Sequence, residues 1–168
     1  MSTLTVQNIQ GSSSSSNTIS VASGHVIHQP GTVLQTVFTA SDTKISTTSG
    51  SYVDTSVKID ITPKSSSSTI LLISSISVHN NAGNSYLYHR WKRTVSGSSD
   101  TFGPDVAVHG NLWLMMPQVT GIAVVNNTAN HEFRIQHKGN PGTNYIGWSS
   151  NAPGTFNFNY ICALEAAS

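Results

Sequence analysis

A chain of 168 residues holds one domain of ordinary size plus an arm. Eight Lys and Arg against seven Asp and Glu leave only 9% of the residues charged, which excludes the basic stripe of a nucleic-acid binder and the acidic field of a cation trap. The single cysteine, Cys162, excludes an internal disulfide framework and a cysteine-based zinc site.

Residues 1–31 form the first unit. Leu4, Val6 and Ile9, then Ile19 and Val21, then Val26, are spaced as short strands of three or four residues, joined by a hinge of five consecutive serines. They are too few to close a core of their own. Such a segment either docks on the rest of the chain or winds with copies of itself around a symmetry axis, so it reads as an attachment and oligomerisation arm. It lacks the basic and apolar regions of a signal peptide, and no apolar run in the chain approaches the roughly 20 residues of a membrane span. Synthesis in a cytoplasm, with no membrane partner, is the expectation.

From residue 32 to 168 the apolar pattern has period two and helical periodicity is nearly absent. Strands are expected over Thr32 to Thr39, Val53 to Ile61, Ser68 to His79, Tyr86 to Thr94, Val106 to Met116, Gly121 to Asn126, His131 to His137, Tyr145 to Trp148 and Thr155 to Leu164. The clearest is the second, where Val53, Thr55, Val57, Ile59 and Ile61 share one face and Pro63 stops the run. Turn clusters lie between the strands, including Ser41-Asp42, Pro63 to Ser68, Ser96 to Asp105 and Asn126 to Asn130. Eight or nine strands with short turns predict an all-β antiparallel sandwich of jelly-roll type, preceded by the extended arm.

Alternation assigns faces within the strands. In the strand Tyr86 to Thr94, Leu87, His89 and Trp91 point to the core, and Tyr86, Tyr88, Arg90 and Lys92 point out. In the last strand the bulk lies with Phe156, Phe158, Tyr160, Cys162 and Leu164, which are expected to face the core, leaving Asn157, Asn159, Ile161, Ala163 and Glu165 outside as a half-apolar face suited to a subunit interface. Cys162 is then a buried structural thiol.

Few patterns carry chemistry. His25 and His28 lie three apart in an extended stretch, which sends them to opposite faces and disfavours joint ligation of one ion within a chain; a ring of one of them on a threefold axis stays open beside plain hydrogen bonding to a neighbouring subunit. His79, His89, His109, His131 and His137 are scattered without repeated spacing, and no metal is assigned. No G-x-S-x-G elbow occurs, and the one carboxylate pair with a claim on sugar cleavage, Asp100 with Asp105, falls in a predicted turn. No catalytic residue and no cofactor are assigned, and the chain reads as a non-enzyme.

Sugar binding without cleavage has better material, because tyrosine and tryptophan offer a ring face for stacking and a polar edge for hydrogen bonds. Tyr86 and Tyr88 with Arg90 form the first candidate contact patch, and Tyr145 with Trp148 the second; packing of these rings at subunit interfaces is the plainer alternative. Arg90-Trp91-Lys92-Arg93 alternates across a strand and reads as a guard against edge aggregation.

Two phrases near the front then carry a resemblance. Met1-Ser2-Thr3-Leu4-Thr5-Val6-Gln7-Asn8-Ile9-Gln10, with Ile19-Ser20-Val21-Ala22-Ser23-Gly24 and Pro30-Gly31-Thr32-Val33-Leu34-Gln35 after it, resembles the N-terminus of short virion proteins of tailed phages, marine and cyanobacterial ones above all. Ser51-Tyr52-Val53-Asp54, with Ile61-Thr62-Pro63-Lys64-Ser65 and Ser68-Thr69-Ile70-Leu71 following, is similar to a later segment of the same proteins. The resemblance covers most of residues 1 to 75. It implies a tail-fibre-like virion protein displayed on the particle exterior, homotrimeric, attached to other virion proteins through the arm. Without an extended shaft repeat, a small fibre or spike tip touching a host glycan is the first form this takes, and a capsid decoration or knob protein the second.

Overall fold

The computed structural model describes residues 30–80, 85–110, 118–140, 142–147 and 159–168. The arm residues Leu4, Val6, Ile9, Ile19, Val21 and Val26, together with Trp148, lie outside the described residues.

Among the described residues the chain forms eleven strands and no helix: β1 (Val33–Ser41), β2 (Ile45–Thr47), β3 (Val53–Ile61), β4 (Thr69–Ser75), β5 (Val78–Asn80), β6 (Ser85–Val95), β7 (Ser98–Gly110), β8 (Gln118–Val124), β9 (His131–Asn140), β10 (Asn144–Ile146) and β11 (Asn159–Ala166). Two four-stranded sheets, β1-β11-β4-β8 and β3-β9-β6-β7, face each other, and a small sheet, β2-β10-β5, closes one end. Every pairing is antiparallel. Setting the three short strands aside, the long strands interleave between the two sheets as in a jelly roll. The expected all-β antiparallel sandwich is therefore the fold.

Local sequence explains most elements. In β3, Thr55, Val57, Ile59 and Ile61 are buried and the residues between them are not, as the alternation requires. In β6, Leu87, His89 and Trp91 point inward and Tyr86 outward. The β6–β7 connection is narrower than the turn cluster suggests: only Ser96 and Gly97 leave the ladder, both with positive φ (48° and 84°), the two-residue hairpin whose twist matches the strands. Ser98 to Phe102 then pair with β6 despite their turn-forming composition, and after a bulge over Gly103 to Asp105 the pairing resumes at Val106, so Asp100 and Asp105 lie within β7 and not in a loop. The expected single strand Ser68 to His79 breaks after Ser75. Ser77 donates its N–H to Asn159 Oδ1 (3.1 Å) and accepts from the Gly147 N–H (2.8 Å), and β5 thereby leaves the large sheet for the small one.

The faces of β11 are opposite to those read from its bulk. Asn159, Ile161, Ala163 and Glu165 are buried, and Tyr160, Cys162 and Leu164 lie outside. Cys162 is half-buried on that outer face and is not an interior thiol. Space in the core is the reason. Trp91 and Phe133 fill the interior from the facing sheet, and this sheet answers with small residues: a Cβ on Gly121 of β8 would come within 2.7 Å of Trp91 Cδ1 and 2.9 Å of Phe102 Cε2. Ala163 and Ala123 leave the same kind of room, which Phe or Tyr at those places would remove. Ile59, Ile61, Ile70, Leu72 and Ile135 complete the core, each stabilising by about 1.5–3 kcal/mol through burial.

Glu165 is the exception on the inner face, a carboxylate at 0% exposure. It accepts hydrogen bonds from Gln35 Nε2 (2.5 Å) and from the backbone N–H groups of Lys64 (2.8 Å) and Ser65 (3.3 Å). The carboxylate thus stitches the Pro63–Ser68 turn to β1 and β11.

Candidate functional site

The two outer faces of the sandwich differ in chemistry. On β3-β9-β6-β7 the outward positions are charged and paired. Lys58 Nζ meets Glu132 Oε2 at 2.5 Å, Arg134 meets Glu132 Oε1 at 2.8 Å, and Lys92 meets Asp54 Oδ2 at 2.7 Å. Gln136 bridges the network, donating to Asp54 Oδ1 (2.7 Å) and accepting from Arg90 Nε (2.9 Å). Burial opposes the charges on Asp54 and Glu132, but their hydrogen bonds to Lys92, Gln136, Lys58 and Arg134 outweigh it and hold both carboxyls below the ordinary range. Exposed pairs of this kind add about 0–1 kcal/mol each; their main effect is to fix side chains in place and keep this face hydrated.

The candidate contact patch lies at one end of that face. Tyr86 is 49% exposed, and its ring centroid stands 6.2 Å from that of Tyr88. The Arg90 guanidinium sits 3.8 Å over the Tyr52 ring, and Lys138 Nζ sits 4.4 Å from the same ring and 5.0 Å from Tyr88. Burial and the neighbouring Asp105 carboxylate push the Tyr52 phenol up, so it stays protonated. Tyr86, Tyr88 and Arg90 are thus brought together as expected, while Tyr52 and Lys138 were missed. The cross-strand register Tyr88 to Lys138 supplies one of them, and Tyr52 precedes β3; neither is near Tyr88 in sequence. Alternation in β9, where Arg134, Gln136 and Lys138 share a face, was the available signal.

Tyr145 does not join this patch. It belongs to the small sheet, where its ring stacks on His79 at 5.9 Å and Lys44 Nζ lies 5.1 Å away. Asp100 and Asp105 are drawn to different partners: Asp100 takes a two-pronged bond from Arg93 (2.9 and 2.6 Å), and Asp105 neighbours Tyr52. Among the described residues no group of three or more His, Cys, Asp or Glu is arranged to hold a metal ion.

His89 and His137 pair across β6 and β9 in the interior, at 0% and 1% exposure. None of their four ring nitrogens has a protein hydrogen-bond partner, an exception to the rule that buried polar groups are paired. Burial, with His137 beside it, pushes His89 down to about 3, and burial pushes His137 down to about 4.

The outer face of β1-β11-β4-β8 carries no charge. Its outward positions are Thr36, Phe38 and Ala40 on β1, Tyr160, Cys162 and Leu164 on β11, Leu71, Ile73 and Ser75 on β4, and Thr120, Ile122 and Val124 on β8. Phe38 is 62% exposed, Ile122 67% and Val124 69%, and Phe38 and Tyr160 stand 5.8 Å apart. Register places Phe38, Cys162 and Ile73 in one row across the sheet, and Leu164, Leu71 and Ile122 in the next. This is a continuous apolar surface, where scattered single residues would be ordinary.

No protein-family model and no curated protein matches the sequence. Among solved structures, the chain is similar to those of infectious bursal disease virus Gx strain (12% identity, TM-score 0.40), infectious bursal disease virus Gt strain (11%, 0.42) and the VP2 subviral particle of infectious bursal disease virus (12%, 0.41). Each alignment covers 90% of this chain and 42% of the matched chain, so the protein spans less than half the length of those chains. At these identities and TM-scores the likeness adds nothing to the jelly-roll assignment, which rests on strand order and register.

Proposed function

We propose that the chain is a non-enzymatic structural subunit of a virus particle, a small fibre or spike tip that assembles as a homotrimer and contacts the host surface. The observation that carries this reading is the opposition of the two outer faces: one uncharged and apolar, as an assembly surface is, the other charged, hydrated and bearing the Tyr86–Tyr88–Arg90 patch. The phrases in residues 1 to 75 that resemble tailed-phage virion proteins support the particle as the setting. Jelly rolls also serve as capsid and lectin domains, an analogy of fold that agrees with the reading without deciding it.

In this reading the Tyr86 and Tyr88 rings stack on a sugar face while Arg90 and Lys138 donate hydrogen bonds to its hydroxyl oxygens. The purified protein binds host cells or their surface polysaccharide, and Tyr86→Ala with Tyr88→Ala weakens binding at least tenfold, since each stacked ring contributes about 1 kcal/mol or more. A pull-down with fluorescent protein on host cells reads this directly. Wild-type protein that binds no host surface overturns the tip and favours the capsid decoration role.

A further inference from the structure

We propose that the uncharged face of β1-β11-β4-β8 is the trimer core: three copies set this sheet around a threefold axis, as the walls of a triangular prism. The inference rests on the trimeric reading above and gives it a surface.

Size, charge and width point the same way. The exposed apolar side chains, Phe38, Ile73, Ile122, Val124 and Tyr160 with Val33 at the rim, offer roughly 600 Å², at or above the largest patch of an ordinary monomer. No Lys, Arg, Asp or Glu occupies an outward position on the four strands, so copies meet without like charges in contact. A charged protein surface would leave these side chains without matching chemistry, and a glycan would find rings only at Phe38 and Tyr160, leaving Ile73, Ile122 and Val124 unmatched. Four strands span about 19 Å, and a triangle with sides of that length places each sheet about 5.5 Å from the axis, close to half the roughly 10 Å at which sheets pack face to face. Three copies therefore fill the prism with one layer of side chains from each sheet. The edge strands meet at its corners, β1 of one copy against β8 of the next, where Phe38, Ile122 and Val124 are the most exposed residues of the face.

Sedimentation equilibrium of the full chain, with the rate of Cys162 alkylation by N-ethylmaleimide, tests this, because the chain has one cysteine and it lies on that face. The expected mass is three times the 17.9 kDa of the chain. Ile122→Lys, with an unchanged far-UV circular dichroism spectrum, sediments as a single chain, and Cys162 reacts about tenfold or more faster in it than in the wild type. The wild-type rate against that of the urea-unfolded chain keeps the test decisive if the variant does not fold. A wild-type trimer whose Cys162 reacts as fast as in the unfolded chain, or a folded Ile122→Lys that stays trimeric, overturns the prism and leaves the trimer standing on other contacts. A wild-type mass of one or two chains overturns both the prism and the trimeric reading.

Discussion

Lowering the pH from 7 to 4.5 is expected to remove several kcal/mol of folding stability, a large part of the 5–15 kcal/mol that holds a domain together. His89 and His137 are neutral in the folded interior down to about 3 and about 4, whereas in the unfolded chain each takes up a proton near 6.5. Both folded values are depressed. The stability is therefore fully present above pH 6.5 and is lost as the pH falls from 6.5 toward the folded values, because the unfolded state binds the additional protons. Each histidine contributes a slope of about 1.4 kcal/mol per pH unit, so the pair gives nearly 3 kcal/mol per pH unit, or about 5 kcal/mol down to pH 4.5. His131, buried beside Phe133 and held below the ordinary range by burial and by Arg93, acts in the same direction. Urea unfolding midpoints at pH 7.5, 6, 5 and 4.5 measure the slope, and His89→Leu with His137→Leu flattens it. A wild-type midpoint that stays level between pH 7 and 5 contradicts the account.

Replacing Glu165 by Ala is expected to destabilise the fold by about 3 kcal/mol, more than its place in the last strand suggests. The substitution leaves the N–H groups of Lys64 and Ser65 without this acceptor, removes one of the two acceptors of Gln35 Nε2 (the other is the Thr62 carbonyl), and opens space on the inner face. Glu165→Gln keeps the shape and one acceptor oxygen, and costs less. Burial opposes the charge of Glu165, but the hydrogen bonds it accepts prevail and hold its carboxyl below the ordinary range. Its stabilisation is thus present above the usual carboxylate range near 4.5 and is lost below it, where it overlaps the lower end of the histidine window; loss between pH 6.5 and 4.5 belongs to the histidines, and the two effects separate there. Equal stability of Glu165→Ala and wild type at pH 7 would show that the carboxylate does not hold the turn.

These two groups also mark where the sequence stopped being readable. Strands with strict alternation, such as β3, and those with one plainly apolar face, such as Leu87 to Trp91 in β6, were legible because burial on one side alone decides the register. In β11 both faces are half apolar, and which of them turns inward depends on the space left by Trp91, Phe102 and Phe133 on other strands, information that no single strand contains. Glu165 read as solvent for the same reason: its partners, Gln35, Lys64 and Ser65, lie about a hundred residues or more away in the chain. The contact patch was half legible. Tyr86, Tyr88 and Arg90 come from one strand by alternation, while Tyr52 and Lys138 arrive through pairing across the sheet. The uncharged face itself was missed because its most exposed residues, Phe38, Ile122 and Val124, lie on the two edge strands, β1 and β8, which come into one face only through β11 and β4 between them.

Electron cryomicroscopy of the virus particles proposed to hold this chain tests the central claim most directly, by placing the sandwich and both of its faces in one map. The account predicts the β3-β9-β6-β7 face and its Tyr86–Tyr88 patch turned to solvent on the particle exterior, with the β1-β11-β4-β8 face covered by other copies. Particles that lack the chain, or a sandwich whose uncharged face lies open to solvent, would contradict it.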